Sequence, residues 1–410
     1  MGKWLRTTRG CLREAVYAAA YATGAAWLIR RLAGPRRLIL SYHNVLPAGT
    51  FDPRRAVHRV DMTRETFVAQ IEYLARRGEI RPAAQLADGT PGVFLTFDDG
   101  LLNQYELVLP VLDRLGLTGV FAVCPGLIEG EVPHIWREHF ALLLRAMEGR
   151  EALLPMDDFA RPTAVSQANA EALLAAFTSW AGQSRRDVYE ALRKMCSHNG
   201  TPYCRLADDP LRFRPMSWEM LADLQRRGHI IASHGWSHRP LSWLRSLELW
   251  AELRRSRQAL RRRLGGPADW IVYPYGTGGE VDADVMSAAA GAGYRVGLLN
   301  VPYALEGEAG MNLPRRTAPS RGSRRHVWAV LSGLNQWARP RQAAALTFYP
   351  ETPHEFVKRP THPRRHLPLG AGGKPVSAAL RRRRPAGGRP SHGNPPADVL
   401  PPAPGPGPGD

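Results

Sequence analysis

The sequence predicts an α/β fold in which helices cross between the strands of one parallel sheet. Three observations carry this. Short apolar runs rich in β-branched and aromatic residues recur: Leu38-Ile39-Leu40-Ser41-Tyr42, Val93-Phe94-Leu95-Thr96-Phe97, Gly119 to Val123, Ile230-Ile231-Ala232-Ser233 and Trp270 to Tyr273. Near-continuous runs of this kind are what parallel strands covered on both faces require. Segments with a helical apolar period separate them, as crossover connections do. Polar residues follow at the strand ends: His43, Asp98-Asp99 and His234. Open α/β sheets and barrels place their sites at those ends.

The chain of 410 residues has room for one large domain or two ordinary ones, and 44% hydrophobic residues can fill a sizeable core. Its formal charge is +18 and its pI about 10.4. This balance favours polyanions such as nucleic acid, anionic lipid or acidic glycan. The arginines are scattered, with clusters at Arg254-Arg255, Arg261 to Arg263 and Arg381 to Arg384. No homeodomain, zinc-finger or RNA-recognition pattern accompanies them, so no specific nucleic-acid partner is expected and a solvated basic surface explains most of the charge. Cys11, Cys124, Cys196 and Cys204 form no Cys-x-x-Cys pair, so free thiols are the default rather than a zinc knuckle.

In chain order, residues 1–34 form a basic, apolar N-terminal segment. Ala15 to Ile29 is short for a membrane span, and Arg30-Arg31 stand where a signal peptidase site would be expected. A helix that packs on the domain or lies on an anionic membrane surface is the expectation, with an uncleaved anchor as the alternative. A cytoplasmic or membrane-associated location is favoured over secretion. Leu38 to His43 is the first strand, Asn44 to Val60 a polar loop, and Thr63 caps a helix through Phe67, Ile71 and Leu74. After the Asp98 strand, Tyr105 to Leu112 is a helix and Gly119 to Val123 a strand. Residues 128–213 break the rhythm with three helical stretches, Trp136 to Met147, Val165 to Trp180 and Arg186 to Met195, read as a helical insertion. Ser217 opens the next helix, Ile230 to His234 is a strand, and Leu244 to Leu264 is an arginine-rich helix stopped by Gly265-Gly266. Trp270 to Tyr273, Tyr294 to Leu298 and Met311 to Leu313 are strands, Asp282 to Ala290 and His326 to Leu334 helices. The main domain is expected over residues 35–338. From Arg339 to Asp410 Pro, Gly and Arg dominate, and a disordered tail is predicted.

Three constellations carry chemistry. Asp98 and Asp99 end a buried strand, and adjacent residues there point opposite ways, so one carboxylate can bind a cation while the other handles a proton. His234-Gly235-Trp236-Ser237-His238 places two imidazoles at i and i+4 from another strand end. Parallel strand ends meet at one rim, so the Asp98-Asp99 pair is expected to converge with His234 and His238. Two imidazoles and one carboxylate suit a divalent metal, Zn²⁺ above all, with an open water position. The third is Val272-Tyr273-Pro274-Tyr275-Gly276, a rigid exit from a strand that can wall a groove.

In that order Thr96-Phe97-Asp98-Asp99-Gly100, the His-x-x-x-His of His234 and His238, and Tyr273-Pro274-Tyr275-Gly276 resemble the polysaccharide deacetylases, the NodB-homology enzymes of carbohydrate esterase family 4. Tyr42-His43-Asn44-Val45 and Met216-Ser217-Trp218-Glu219 are similar to accessory stretches of that family. The resemblance spans roughly residues 37–320, with the helical insertion outside the usual core. It implies an incomplete (β/α) barrel that removes N-acetyl groups from the amino sugars of a glycan. It also implies Asp98 as general base and Asp99, His234 and His238 as metal ligands. The cation would acidify a water and polarise the amide carbonyl. Tyr273, Pro274, Tyr275 and Gly276 would contact substrate or the oxyanion, with the Tyr275 N–H as one donor.

Three departures from the family pattern stand out. Gly235 follows the first histidine where Ser or Thr is usual, and no arginine precedes the third motif in Trp270-Ile271-Val272. Leu313-Pro314-Arg315 also occupies the place of the late Leu-x-His motif that supplies the acid. Arginine is a poor proton donor. His43 is therefore the candidate acid or substrate contact. Other readings are a catalytically impaired carbohydrate-binding domain, a metal amidase acting on a non-sugar substrate, and a basic surface-binding protein.

Overall fold

The computed structural model describes residues 15–32, 36–50, 61–184, 187–202, 209–303, 305, 307, 310–320 and 324–332. The chain divides into two compact units, Met1–Pro353 and His354–Asp410, and every described residue belongs to the first. The predicted tail from Arg339 lies outside the described residues, as do residues 1–14, 51–60 of the polar loop and the end of the last helix.

Seven strands form one sheet: β1 (Arg37–Tyr42), β2 (Gly92–Phe97), β3 (Val120–Val123), β4 (Ile230–Ser233), β5 (Trp270–Val272), β6 (Val296–Leu298) and β7 (Arg316–Thr317). Their spatial order is β6-β5-β4-β3-β2-β1-β7, and every pairing is parallel. This is the predicted α/β class, an incomplete (β/α) barrel. β1 and β2 are buried from their second residues onward, which is why they read as unbroken apolar runs.

Register explains why the strand ends matter. Tyr42 lies opposite Phe97, so His43 and Asp98 leave adjacent strands side by side. Val123 lies opposite Ser233 and Ser233 opposite Ile271, so His234 emerges between the ends of β3 and β5. The last strand falls later than predicted. Leu313 makes only a parallel bridge to Leu298 of β6, whereas Arg316 and Thr317 pair with Leu40 and Ser41 of β1. Pro314 has no N–H for a ladder, and the chain crosses there from one sheet edge toward the other.

The helices are α1 (Ala25–Leu32), α2 (Arg64–Arg76), α3 (Leu109–Arg114), α4 (Trp136–Ala146), α5 (Ala170–Ser184), α6 (Val188–His198), α7 (Trp218–Arg226), α8 (Ser246–Leu264), α9 (Ala283–Gly291) and α10 (Arg324–Ser332). Thr63, Ser217 and Asp282 cap α2, α7 and α9 with their side chains, and Gly265 ends α8 at φ 70°. A π turn over Gln104–Val108 precedes α3, and Pro110, which cannot donate to the carbonyl four residues back, accounts for the widening.

In the insertion, α4, α5 and α6 match the three predicted stretches with one correction. Val165 does not open a helix: Pro162–Ala164 pairs antiparallel with Glu151–Leu153, and α5 starts at Ala170. Phe140 stacks on Phe177 at 3.9 Å between ring centroids in a core that also takes in Trp236 and Tyr275 from the rim. The insertion is therefore packed onto the strand ends.

Candidate metal centre and base

Asp99, His234 and His238 come together as expected, all three buried, with one ligand atom from each within 4.8 Å of the others. His238 Nε2 is 3.0 Å and His234 Nε2 3.6 Å from Asp99 Oδ1. His234 Nδ1 donates to the Val272 carbonyl at 2.6 Å, which fixes the tautomer and leaves Nε2 to accept a metal. Burial lowers the pKa of His238, opposed by Asp99, so its ring is neutral near pH 7. Burial pushes the Asp99 carboxyl up, but hydrogen bonds from His234 and His238 hold it well below the usual carboxylate range. A carboxylate and two imidazoles whose ligand atoms lie this close fit a divalent cation of the Zn²⁺ type. Among the described residues no other trio of His, Cys, Asp or Glu atoms approaches this closely.

The backbone is strained at these positions. Asp99 (φ 79°), His238 (φ 57°) and Tyr275 (φ 61°) are three of the six non-glycine residues in the left-handed region among the described residues. Such conformations cost about 1–3 kcal/mol each and persist only where the surroundings over-determine them.

Asp98 sits beside the trio on a different partner set. Arg315 grips it bidentately, Nη1 to Oδ1 at 2.6 Å and Nη2 to Oδ2 at 2.8 Å. Arg315 also donates from Nη1 to Thr96 Oγ1 at 2.9 Å and from Nε to the Leu299 carbonyl at 2.7 Å, and it is 1% exposed. Burial raises the Asp98 pKa, but the Arg315 charge and hydrogen bonds more than offset this, so the carboxyl titrates below its ordinary range. The guanidinium that appeared missing from Trp270-Ile271-Val272 therefore comes from the seam between β6 and β7. His43 Nε2 is 3.7 Å from Asp98 Oδ2, and Gln104 Nε2 donates to the Asp98 carbonyl.

The loop from His234 to His238 has its own clamp. Gly235 adopts φ 73°, and a Cβ there would meet Glu252 Oε1 at 3.2 Å. Glu252, buried on α8, accepts from Trp236 N at 2.9 Å, Ser237 N at 2.6 Å and Ser237 Oγ at 2.9 Å. It takes over the fixing task that a Ser or Thr at position 235 would have had. Tyr189 Oη of α6 donates to the Ser237 carbonyl at 2.7 Å, so the insertion holds the same loop.

The third motif divides. Tyr275 packs edge-on to His238 at 4.9 Å, and Trp136 of α4 lies 6.0 Å beyond it. Tyr273 is fully buried in a core with Leu241, Leu249 and Val281, and its hydroxyl crowds Gly297, which puts the side chain inside the barrel wall. Pro274 and Gly276 are buried backbone pieces, and Gly276 accepts from Asn300 N at 2.8 Å.

The sequence reading also missed a buried polar group. Arg212 bonds Asp61 at 2.5 Å, and Asn44 bonds Asp61 at 3.0 Å. On α4, burial, then the Asp99 and Asp61 charges, push the Glu138 carboxyl well above the usual range.

The polysaccharide deacetylase family model matches residues 163–297. That stretch starts inside the insertion and contains His234, His238 and Tyr273 to Gly276, while Asp98 and Asp99 precede it. No curated protein matches the sequence. Similar solved structures include the deacetylase PplD of Streptococcus pyogenes in complex with acetate, 14% identical, covering 72% of this chain and 99% of that one, TM-score 0.46. IcaB from Ammonifex degensii is 16% identical over 74% of this chain and 97% of its own, TM-score 0.43. A polysaccharide deacetylase from Bacillus cereus is 14% identical over 72% and 69%, TM-score 0.44. Residues 163–297 are thus similar to the polysaccharide deacetylases, the family that the chain's motifs resemble.

Proposed function

We propose that the chain is a metal-dependent N-deacetylase that releases acetate from N-acetylated amino sugars of a polysaccharide or glycoconjugate. The observation that carries this is the trio Asp99, His234 and His238 set beside a buried aspartate gripped by arginine. A divalent cation held by the trio, Zn²⁺ by its donor set, supplies Lewis-acid polarisation of the amide and acidifies a water. Asp98 takes the proton from the attacking water as general base. Arg315 keeps Asp98 ionised and fixes the plane of its carboxylate. Tyr275 packs against His238 and Trp136 against Tyr275, which shields the imidazole from bulk water. His43, whose Nε2 lies 3.7 Å from Asp98, protonates the departing amine.

The test is acetate release from an N-acetylglucosamine oligomer, paired with metal analysis. Wild type is expected to carry the metal and release acetate, and Asp99→Asn to lose most of both. Metal and glycan binding without turnover would leave an impaired binding domain, and turnover only of non-sugar amides would make it an amidase. For His43→Gln the expected result is a rate about 10²–10⁴-fold lower. Unchanged turnover and pH profile would remove His43 from the role.

A further inference from the structure

The N-terminal helices present an apolar surface that the proposed chemistry does not use. Residues 15–22 are helical, Gly24 at φ 72° breaks the run, and α1 follows. The inner face is committed to the domain: Tyr17 packs edge-on to His326 of α10 at 5.9 Å, and Ala26 joins a core with Trp328 and Leu331. The outer face carries Val16, Tyr21, Trp27, Leu28 and Leu32, exposed by 40–78%. Among the described residues only seven large hydrophobics are this exposed, and these are five of them. Single exposed apolar side chains need no explanation, but five within 17 residues do.

Charge identifies the occupant. From Met1 to Arg37 the sequence has eight basic residues, Lys3, Arg6, Arg9, Arg13, Arg30, Arg31, Arg36 and Arg37, against the single acid Glu14. The Arg31 guanidinium lies over the Trp27 ring at 5.2 Å, which puts a positive charge beside the apolar patch. A second copy of the chain would bring the same positive charge to this face. No helix among the described residues is long and apolar enough to cross a membrane. An apolar face bordered by arginines on short helices is the arrangement that rests in a headgroup layer.

We propose that residues 15–32 dock the protein on an anionic lipid surface, with Trp27, Leu28 and Leu32 entering the acyl boundary and Arg30, Arg31 and the preceding basic residues meeting the headgroups. The inference is independent of the reaction assigned to the metal centre.

Co-sedimentation of the full chain with phosphatidylglycerol–phosphatidylcholine vesicles, and with pure phosphatidylcholine vesicles, tests it. The expected result is binding to the anionic vesicles alone, weakened at high salt. The Trp27→Gln/Leu28→Gln/Leu32→Gln variant should bind at least tenfold more weakly. At about fivefold per basic side chain, Arg30→Gln/Arg31→Gln should lose about 25-fold. Trp27, Leu28, Arg31 and Leu32 are solvent-facing, and an unchanged melting temperature and metal content certify the fold of both variants. Equal vesicle binding by wild type and the apolar-face variant would overturn the proposal and transfer the attraction to other basic segments. Equal binding to neutral vesicles, absence of binding, or dimerisation of wild type that the Gln variant abolishes would also overturn it.

Discussion

Arg315→Met is expected to leave a folded protein with little deacetylase activity at neutral pH and an acidic limb displaced upward. On the proposed mechanism Asp98 must be ionised to accept a proton, so activity is expected to fall as pH drops through its pKa. In the wild type Arg315 holds that pKa below the ordinary 3.8, and the base stays competent into acid. Without the guanidinium, burial is the dominant influence and pushes the carboxyl up, so protonation begins at higher pH. Stability follows the same sign. The wild-type pair contributes stability above pH 3.8 and loses it as pH falls through the depressed pKa. The variant instead buries an unpaired carboxylate, which costs about 3–5 kcal/mol at neutral pH and less once Asp98 is protonated. Melting temperatures at pH 4 and pH 7 and a kcat/KM profile check both statements. Arg315→Lys separates charge from geometry: it keeps the cation but not the two-pronged grip, and should restore stability more than rate. A Met variant with wild-type rate and acidic limb would show that Asp98 is not the base.

Glu252→Ala is the second large effect. The substitution removes the acceptor for two backbone amides and the Ser237 hydroxyl, all buried. Leaving such donors unsatisfied costs about 1–3 kcal/mol each, so a loss of about 3 kcal/mol or more is expected. The loop between the two histidines then loses its fixed geometry, and metal affinity should fall by about 10–100-fold, as for other groups that orient metal ligands. Glu252→Gln keeps a carbonyl oxygen in place and should recover most of the affinity. Isothermal titration with Zn²⁺ measures this without reference to turnover. Alanine and glutamine variants that bind metal as tightly as wild type would show that the loop holds itself.

The parts legible in the sequence were those where function coincided with a local pattern. Asp98-Asp99 and His234 each follow an apolar run and His238 lies four residues past His234, so their meeting required only that the strands be parallel and their ends aligned. Thr63, Ser217, Asp282 and Gly265 signalled helix limits with side chains that act within one turn. Residues whose partners are remote were missed. Arg315 meets Asp98 across 217 positions, and in sequence it showed only that a histidine was absent. Glu252 lies in a helix whose many arginines made every charge on it look solvated, yet it is 4% exposed. Tyr273 read as a groove wall because the strand–proline–aromatic exit is rigid. Its side chain points into the core, since residues along a strand alternate between faces. The displaced last strand has the same origin: Pro314 could be seen to break a ladder, but not that the chain resumes pairing on the opposite edge.

The position of Arg315 in the chain has a consequence for synthesis. β1 to β6, the carboxylates and both histidines are all made before the arginine that grips Asp98. A nascent polypeptide can assemble most of the barrel while Asp98 still lacks its counter-charge, and only the docking of the final strand supplies it. On the proposed function, a chain that stops short of Arg315 is expected to lack hydrolytic competence.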